Sequence, residues 1–201
     1  LSYMVPPGGT TTESNRGRAV IGGGYVSGAN TDVVDYIHIP TGGYANTFGT
    51  LTDARTALAG CASATRALFA GGFDPASSNL IDYLTISTTG AAINFGDLSQ
   101  SAAYCESLSN NTRGLFFGMV DSPSNSPQGT NTIDYVTIAS AGNTSNFGDL
   151  LVRKYNDAGL SSPTRGVMGG GWDAPAYTNV IEYVTIATTG NSADFGDLAA
   201  A

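Results

Sequence analysis

Side chains that act as nucleophiles or general bases are scarce in this sequence. His38 is the single histidine, and Cys61 and Cys105 are the two cysteines. A catalytic histidine works with a nucleophile or a carboxylate within hydrogen-bond reach, and no motif places such a partner near His38. The cysteines lack CxxC and metal-ligand spacings. We therefore expect a solvated or hydrogen-bonded histidine and two buried thiols, with a Cys61–Cys105 disulfide as the alternative.

Aspartates recur at two kinds of position where strands give way to loops. They follow a Phe-Gly pair at Asp97, Asp149 and Asp197, and a hydrophobic run at Asp74, Asp121 and Asp173. A rim of carboxylates is one way to bind Ca²⁺, which prefers dense clusters of oxygen ligands. Single aspartates in separate repeats do not form such a cluster. We therefore expect turn-capping side chains and no metal, nucleotide or covalent cofactor.

A further charged pattern matches four arginines with four acids. The arginines open hydrophobic runs, and each acid precedes a tyrosine in a later run. The members are Arg18, Arg66, Arg113 and Arg165, with Asp35, Asp82, Asp134 and Glu182. Charged residues make up only 12% of the chain, so this match in number and period predicts structural ion pairs that fix strand register. A ligand-binding ring of arginines is the alternative.

These positions recur because the sequence itself repeats. The Phe-Gly pairs begin at Phe48, Phe95, Phe147 and Phe195, at spacings of 47, 52 and 48 residues. A period near ~50 residues is typical of radial or stacked repeats. The units are about 1–51, 52–98, 99–150 and 151–198, and no linker separates them. We therefore predict one domain over residues 1–201.

Each unit contains four candidate β-strands. Gly contributes 27 residues, and short runs rich in Thr, Val, Ile, Tyr and Phe alternate with Gly-, Asn- and Ser-rich turns, which is typical of an all-β protein. Strand B follows the arginine, strand C holds the acid-Tyr pair, and strand D runs into Phe-Gly. Strand A is rich in small residues, as suits the crowded inner strand of a propeller blade; its candidates are 9–14, 58–63, 104–109 and 158–162.

The order of arginine, hydrophobic strand, Gly pair, variable loop, acid-Tyr strand, turn and aromatic residue resembles the kelch repeat. The late aromatic is Phe, whereas the best-known kelch pattern has Trp. The run NTIDYVTIA, followed by NFGDL and later SSPTRGVMGGG, is also similar to kelch-like repeats in structural proteins of marine bacteriophages, including phages of cyanobacteria. The resemblance covers the chain after Arg18. It implies a four-bladed β-propeller, each blade a four-stranded antiparallel sheet, that serves adhesion or particle assembly on a virion or extracellular surface and carries no catalytic residues.

Two arrangements of the repeats fit this resemblance. We expect the four blades to close on themselves, because propellers span 4 to 8 blades. The alternative is a sector of a larger ring, completed by further sequence or by another subunit.

The loop between strands B and C varies from unit to unit while the strands repeat, which favours it as the recognition surface. The candidate binding residues are Tyr25, Phe73, Trp172, Tyr177, Asp121 and Asn125, the last two in an insert over 120–130. Aromatic side chains on a polar rim suit sugars or protein surfaces. Plain loop drift is the alternative.

The net charge and the hydropathy of the chain limit the classes of partner that it can bind. The net charge of −8 disfavours nucleic acid, which needs clustered Lys and Arg. No apolar run approaches the ~20 residues that span a bilayer, so we expect no membrane insertion. We expect a non-enzymatic module that recognises a host surface glycan or a neighbouring virion protein, besides other subunits of its own assembly. A structural spacer or cap without a ligand is the alternative, and a glycan-active enzyme with paired carboxylates is a distant third.

Overall fold

The computed structural model describes residues 2–4, 17–120 and 129–200. Within these ranges the regular structure is entirely β, with four antiparallel sheets of four strands and two short hairpins. The prediction of an antiparallel all-β chain is therefore confirmed. Each sheet is built from one sequence repeat, and its strands follow one another in the order A, B, C, D.

The bounds of the strands follow the repeat closely. Sheet one contains β1 (Ser2–Met4), β2 (Arg18–Gly22), β5 (Val33–His38) and β6 (Asn46–Thr50). Sheet two contains β7 (Ala59–Ala62), β8 (Arg66–Ala70), β9 (Ser78–Thr85) and β10 (Ile93–Ala102). Sheet three contains β11 (Glu106–Ser109), β12 (Arg113–Phe117), β13 (Thr130–Thr137) and β14 (Ser145–Lys154). Sheet four contains β15 (Ala158–Ser161), β16 (Arg165–Gly169), β19 (Val180–Thr185) and β20 (Ala193–Asp197).

Strand A of sheet one differs from its prediction. The structure uses Ser2–Met4, and Tyr3 pairs with Ile21 of β2. The predicted segment 9–14, GTTTES, lies outside the described residues. The predicted A strands of the other three units are found with ends shifted by at most two residues.

Hydrophobic cores lie between consecutive sheets. Phe48 of sheet one packs in a buried cluster with Phe69 and Ile86 of sheet two. Equivalent clusters join sheets two and three, and sheets three and four. A sheet with a neighbour on each side carries apolar residues on both faces, and strand C of sheet two buries Ile81 on one face and Leu84 on the other.

The Phe-Gly pair is a bulge that fits one sheet against the next. In sheet two the register between β9 and β10 shifts between Asn94 and Gly96, so the chain bends at Phe95. A Cβ atom on Gly96 would collide with the carbonyl oxygen of Gly142 in sheet three. Glycine is therefore required at this position because the next sheet's backbone approaches it closely.

The structure does not show the four sheets closed into a ring within one chain. Phe48, Phe95 and Phe147 are 2–3% exposed, whereas Phe195 of sheet four is 55% exposed. In the other sheets this phenylalanine fills the core against the next sheet, whereas no further described sheet packs against Phe195. Closure of the four blades by one chain therefore stays a prediction, and among the described residues the first and last sheets each have a face that no other sheet covers.

Candidate functional site

The loops that join strands B and C form one edge of the molecule, which we call the B–C edge. Among the described residues it comprises 23–32, 71–77, 118–120 with 129, and 170–179. In sheet four this loop folds into a hairpin of β17 (Trp172–Asp173) and β18 (Ala176–Tyr177). Trp172 and Tyr177 are directly opposite in register, and their rings meet edge to face with centroids 4.8 Å apart. Tyr177 is 65% exposed and Trp172 is half-buried, so the pair presents a supported aromatic surface to solvent.

Sheet one carries a similar hairpin of β3 (Tyr25–Val26) and β4 (Ala29–Asn30). Tyr25 is 66% exposed. Asn30 donates from Nδ2 to the carbonyl oxygen of Phe73 at 3.0 Å, which joins the loops of sheets one and two. Ser77 donates from Oγ to the carbonyl oxygen of Val120 at 3.4 Å, which joins the loops of sheets two and three. The B–C loops of the first three sheets therefore lie side by side along one edge.

The connections from strand D to the next strand A lie at the same edge. Thr56 bridges to Phe73, and Tyr155 bridges to Trp172. The main-chain N–H of Trp172 donates to the carbonyl oxygen of Tyr155 at 2.8 Å. These bridges anchor the aromatic loop positions to the strand ends below them.

The predicted binding residues are brought together in part. Trp172 and Tyr177 form one pair, and Tyr25 lies across its hairpin from Asn30, which reaches the loop of half-buried Phe73. Asp121 and Asn125 lie outside the described residues. One ion pair lies nearby: Arg153 Nε lies 3.5 Å from Asp173 Oδ1, and the arginine side chain is exposed while the aspartate is half-buried.

Two buried ion pairs lie behind this edge, and the sequence does not predict their cations. Arg55 Nη2 lies 2.6 Å from Asp82 Oδ2, and Lys154 Nζ lies 2.7 Å from Glu182 Oε1. Arg55 lies in the connection between sheets one and two, and Lys154 is the last residue of β14. Each cation is three residues after the main-chain N–H that donates to the same carboxylate. Burial lowers the pKa of Arg55, and the charge of Asp82 opposes that shift.

The prediction that the repeated arginines pair with the repeated acids is wrong about the partners. In sheet two Arg66 lies opposite Thr85, whereas Asp82 lies opposite Phe69. Three residues along a strand span about 10 Å and reverse the face on which a side chain points. The arginines lie over tyrosine rings instead, with guanidinium carbons 4.5–4.8 Å from the centroids of Tyr36, Tyr83, Tyr135 and Tyr183.

The remaining reactive side chains show no catalytic arrangement among the described residues. Cys61 and Cys105 are buried free thiols, and burial raises the pKa of each to about 12. His38 is exposed, and its ring meets that of Tyr36 edge to face at 5.5 Å. No three His, Cys, Asp or Glu side chains in the described ranges are grouped so that they could hold a metal ion.

A concave surface lies at the opposite end of the sheets. A groove of about 330 Å³ beside the turn between strands C and D of sheet two is lined by Tyr83, Thr88, Gly90 and Ile93 among others. It lacks the paired aromatic rings of the B–C edge. No helix in the part of the chain that the structure describes is long and apolar enough to cross a membrane.

The chain matches no protein-family model and no curated protein. Its function is therefore inferred from the geometry of the B–C edge and of the sheet faces.

Proposed function

We propose that this protein is a non-enzymatic recognition module of an exposed assembly, such as a phage particle, and that its B–C edge binds a glycan of the host surface. The observation that carries the proposal is the Trp172–Tyr177 pair on its hairpin. Paired aromatic rings offer large apolar contact area with few torsions to immobilise. Such an anchor gains binding energy without a charged or metal-bound ligand.

The surroundings of the pair suit a neutral, hydroxyl-rich ligand. Tyr25 and Tyr177 are exposed aromatic residues with a phenolic hydroxyl, which both donates and accepts hydrogen bonds. The adjoining loops carry Asn, Ser and Thr, and their Arg153–Asp173 pair is charge-balanced. A neighbouring protein of the same assembly is the second ligand class, and glycan binding distinguishes the two.

The proposal includes a β-propeller arrangement of the four sheets. Strand A of each sheet lies against strand A of the next: β1 beside β7, β7 beside β11, and β11 beside β15. Strand A is also the slimmest strand, with Ala59, Gly60, Cys61 and Ala62 in sheet two. Blades that converge on an axis place their smallest strands innermost.

The test is a screen of the purified chain on an array of host-type polysaccharides and oligosaccharides. We expect selective, saturable binding to a subset of glycans that is insensitive to chelator. If the chain binds no glycan but binds a structural protein of the assembly, the ligand of the B–C edge is that neighbouring protein. If the chain binds neither a glycan nor a structural protein, the proposal is overturned and the protein is a spacer or cap without a ligand.

A further inference from the structure

The three internal contacts between sheets are made by the same set of bonds. The repeated arginine donates from Nη1 to an isoleucine carbonyl of the next sheet: Arg18 to Ile86 at 2.9 Å, Arg66 to Ile138 at 3.0 Å and Arg113 to Ile186 at 3.0 Å. The repeated phenylalanine accepts from a glycine N–H of the next sheet: Gly90 to Phe48 at 2.9 Å, Gly142 to Phe95 at 2.7 Å and Gly190 to Phe147 at 2.8 Å. Each sheet thus has a forward face with the arginine and phenylalanine, and a rear face with the isoleucine and glycine.

The forward face of sheet four carries this set with no sheet beside it. Leu198 is 42% exposed, whereas its counterparts Leu51, Leu98 and Leu150 are each 3% exposed. Phe195 shows the same contrast, at 55% against 2–3%. Arg165 is exposed, with its guanidinium carbon 4.5 Å from the centroid of the Tyr183 ring. The face is therefore formed as in the other sheets but uncovered.

The rear face of sheet one carries the complementary half, also uncovered. Ile39 is 47% exposed, whereas Ile86, Ile138 and Ile186 are 0–1% exposed. Asp35 is half-buried, whereas its counterparts Asp82, Asp134 and Glu182 are 0% exposed. Tyr44, next to the glycine that corresponds to Gly90, is 98% exposed. The acceptor and apolar groups that a forward face contacts are thus present and free of a neighbouring sheet.

Gly196 gives independent support. Cβ atoms on Gly49, Gly96 and Gly148 would collide with the backbone of the next sheet, at Gly90, Gly142 and Gly190 respectively. Gly196 occupies the same place in sheet four, and a Cβ there would meet nothing within 4 Å. The clearance that a neighbouring backbone needs is therefore kept on a face that the four described sheets leave without a neighbour.

We infer that a second copy of this chain covers the forward face of sheet four with the rear face of its own sheet one. Arg165 then donates to the carbonyl oxygen of the partner's Ile39, and Phe195 is buried against the partner's sheet one. A forward face and a rear face are different surfaces, so the contact is head-to-tail and continues until a ring closes. Two copies supply eight sheets, which lies within the 4 to 8 blades of propellers. The inference does not depend on the ligand of the B–C edge.

The first experiment measures the mass of the chain in solution by light scattering or sedimentation. We expect twice the single-chain mass of 20.5 kDa. Phe195→Asp and Ile39→Asp should each convert the dimer to single chains, with dimerisation at least ~10-fold weaker. Ile93→Asp is the matched control, because Ile93 is 59% exposed but lies in a sheet that already has two neighbours. A single-chain mass for the unmodified protein would overturn the inference, as would a dimer that survives both substitutions.

Mixing the two variants tests the head-to-tail geometry. The Phe195→Asp chain keeps an intact rear face, and the Ile39→Asp chain keeps an intact forward face. Their mixture should therefore regain the dimer mass through one intact contact, although each variant alone is a single chain. If the dimer instead joined two forward faces, Ile39→Asp would dimerise alone and the mixture would gain nothing. That result would overturn the inference, and unchanged circular dichroism of each variant excludes unfolding as the cause.

Discussion

Arg55 and Asp82 form an ion pair whose side chains are 1% and 0% exposed, with Nη2 2.6 Å from Oδ2. Asp82 also accepts from the main-chain N–H of Thr52 at 3.2 Å, and Arg55 donates to the carbonyl oxygens of Gly71 and Leu80 at 2.6 and 3.0 Å. The pair therefore ties the connection from sheet one to strand C of sheet two. Because this connection joins two repeats, the ion pair helps to fix the position of sheet one relative to sheet two.

We predict that Arg55→Ala destabilises the fold strongly. The substitution leaves Asp82 buried without its cation, which costs about 3–5 kcal/mol of unfolding free energy. Arg66→Ala is the control, because Arg66 is half-exposed, bonds one carbonyl oxygen at 3.0 Å and covers the Tyr83 ring; it should cost about 1 kcal/mol. Urea unfolding of both variants checks this. Equal costs would show that the buried pair contributes no more than the surface arginine.

The sequence predicts the strands well because each repeat carries the same local signals. The acids of strand C stand out for the same reason, and the structure buries Asp82, Asp134 and Glu182. Their partners escape sequence reasoning because the cations do not recur. Arg55 and Lys154 hold equivalent positions, seven residues after Phe48 and Phe147, and Ala102 holds that position after Phe95. A period-based search finds what every repeat shares and misses a contact that only some repeats make.

The sequence also does not indicate whether the four sheets close into a ring. The fourth repeat has the same Phe-Gly pair as the others, so its sequence does not distinguish Phe195 from its three buried counterparts. Burial depends on whether another sheet covers that face, and the repeat itself carries no information about this. The side chain is 55% exposed, and only the three-dimensional arrangement separates it from its counterparts.

Gly49→Ala should be destabilising although alanine is the smallest change available. A Cβ atom at this position would collide with the carbonyl group of Gly90 in the next sheet. Displacing a backbone inside a packed contact costs about 1–3 kcal/mol. Gly169→Ala is the control, since the nearest atom to its Cβ is 3.6 Å away in the Ile181 side chain. The melting temperatures of both variants give the comparison, and an equal fall in both would contradict the close approach of the sheets.

Asp157 predicts a pH dependence of stability. Burial raises the pKa of its carboxyl from 3.8 to about 7, and the charge of Lys154 opposes this shift. The folded state therefore holds a proton that the unfolded chain releases near pH 4. The stability from that proton is fully present below about pH 4 and is lost as the pH rises through about 7.

The measurement for Asp157 is the unfolding free energy at pH 4, 6 and 8 for the unmodified chain and for Asp157→Asn. Asparagine does not titrate, so the variant should gain stability relative to the unmodified chain as the pH rises over this range. Asp74→Asn serves as the control, because Asp74 is exposed. A stability difference between chain and variant that stays constant from pH 4 to 8 would contradict the prediction.

The last prediction concerns the aromatic pair of the B–C edge. Replacing Trp172 and Tyr177 by Ala removes the paired rings, and we expect the affinity for the glycan to fall by at least ~30-fold, or ~2 kcal/mol. The fold should survive, because Tyr177 is 65% exposed and the hairpin lies outside the cores between sheets.

The controls for that experiment separate the two ends of the sheets. Thr188→Ala changes the turn between strands C and D of sheet four, at the end opposite the B–C edge, and should leave binding unchanged. Ile93→Ala tests the groove beside the equivalent turn of sheet two. Titration calorimetry with the best glycan of the array gives the affinities. If binding survives the double aromatic change but is lost with Thr188→Ala or Ile93→Ala, the ligand sits at the turn end. The aromatic pair would then have only a structural role in its hairpin, because the removal of rings that contact a ligand weakens the binding of that ligand.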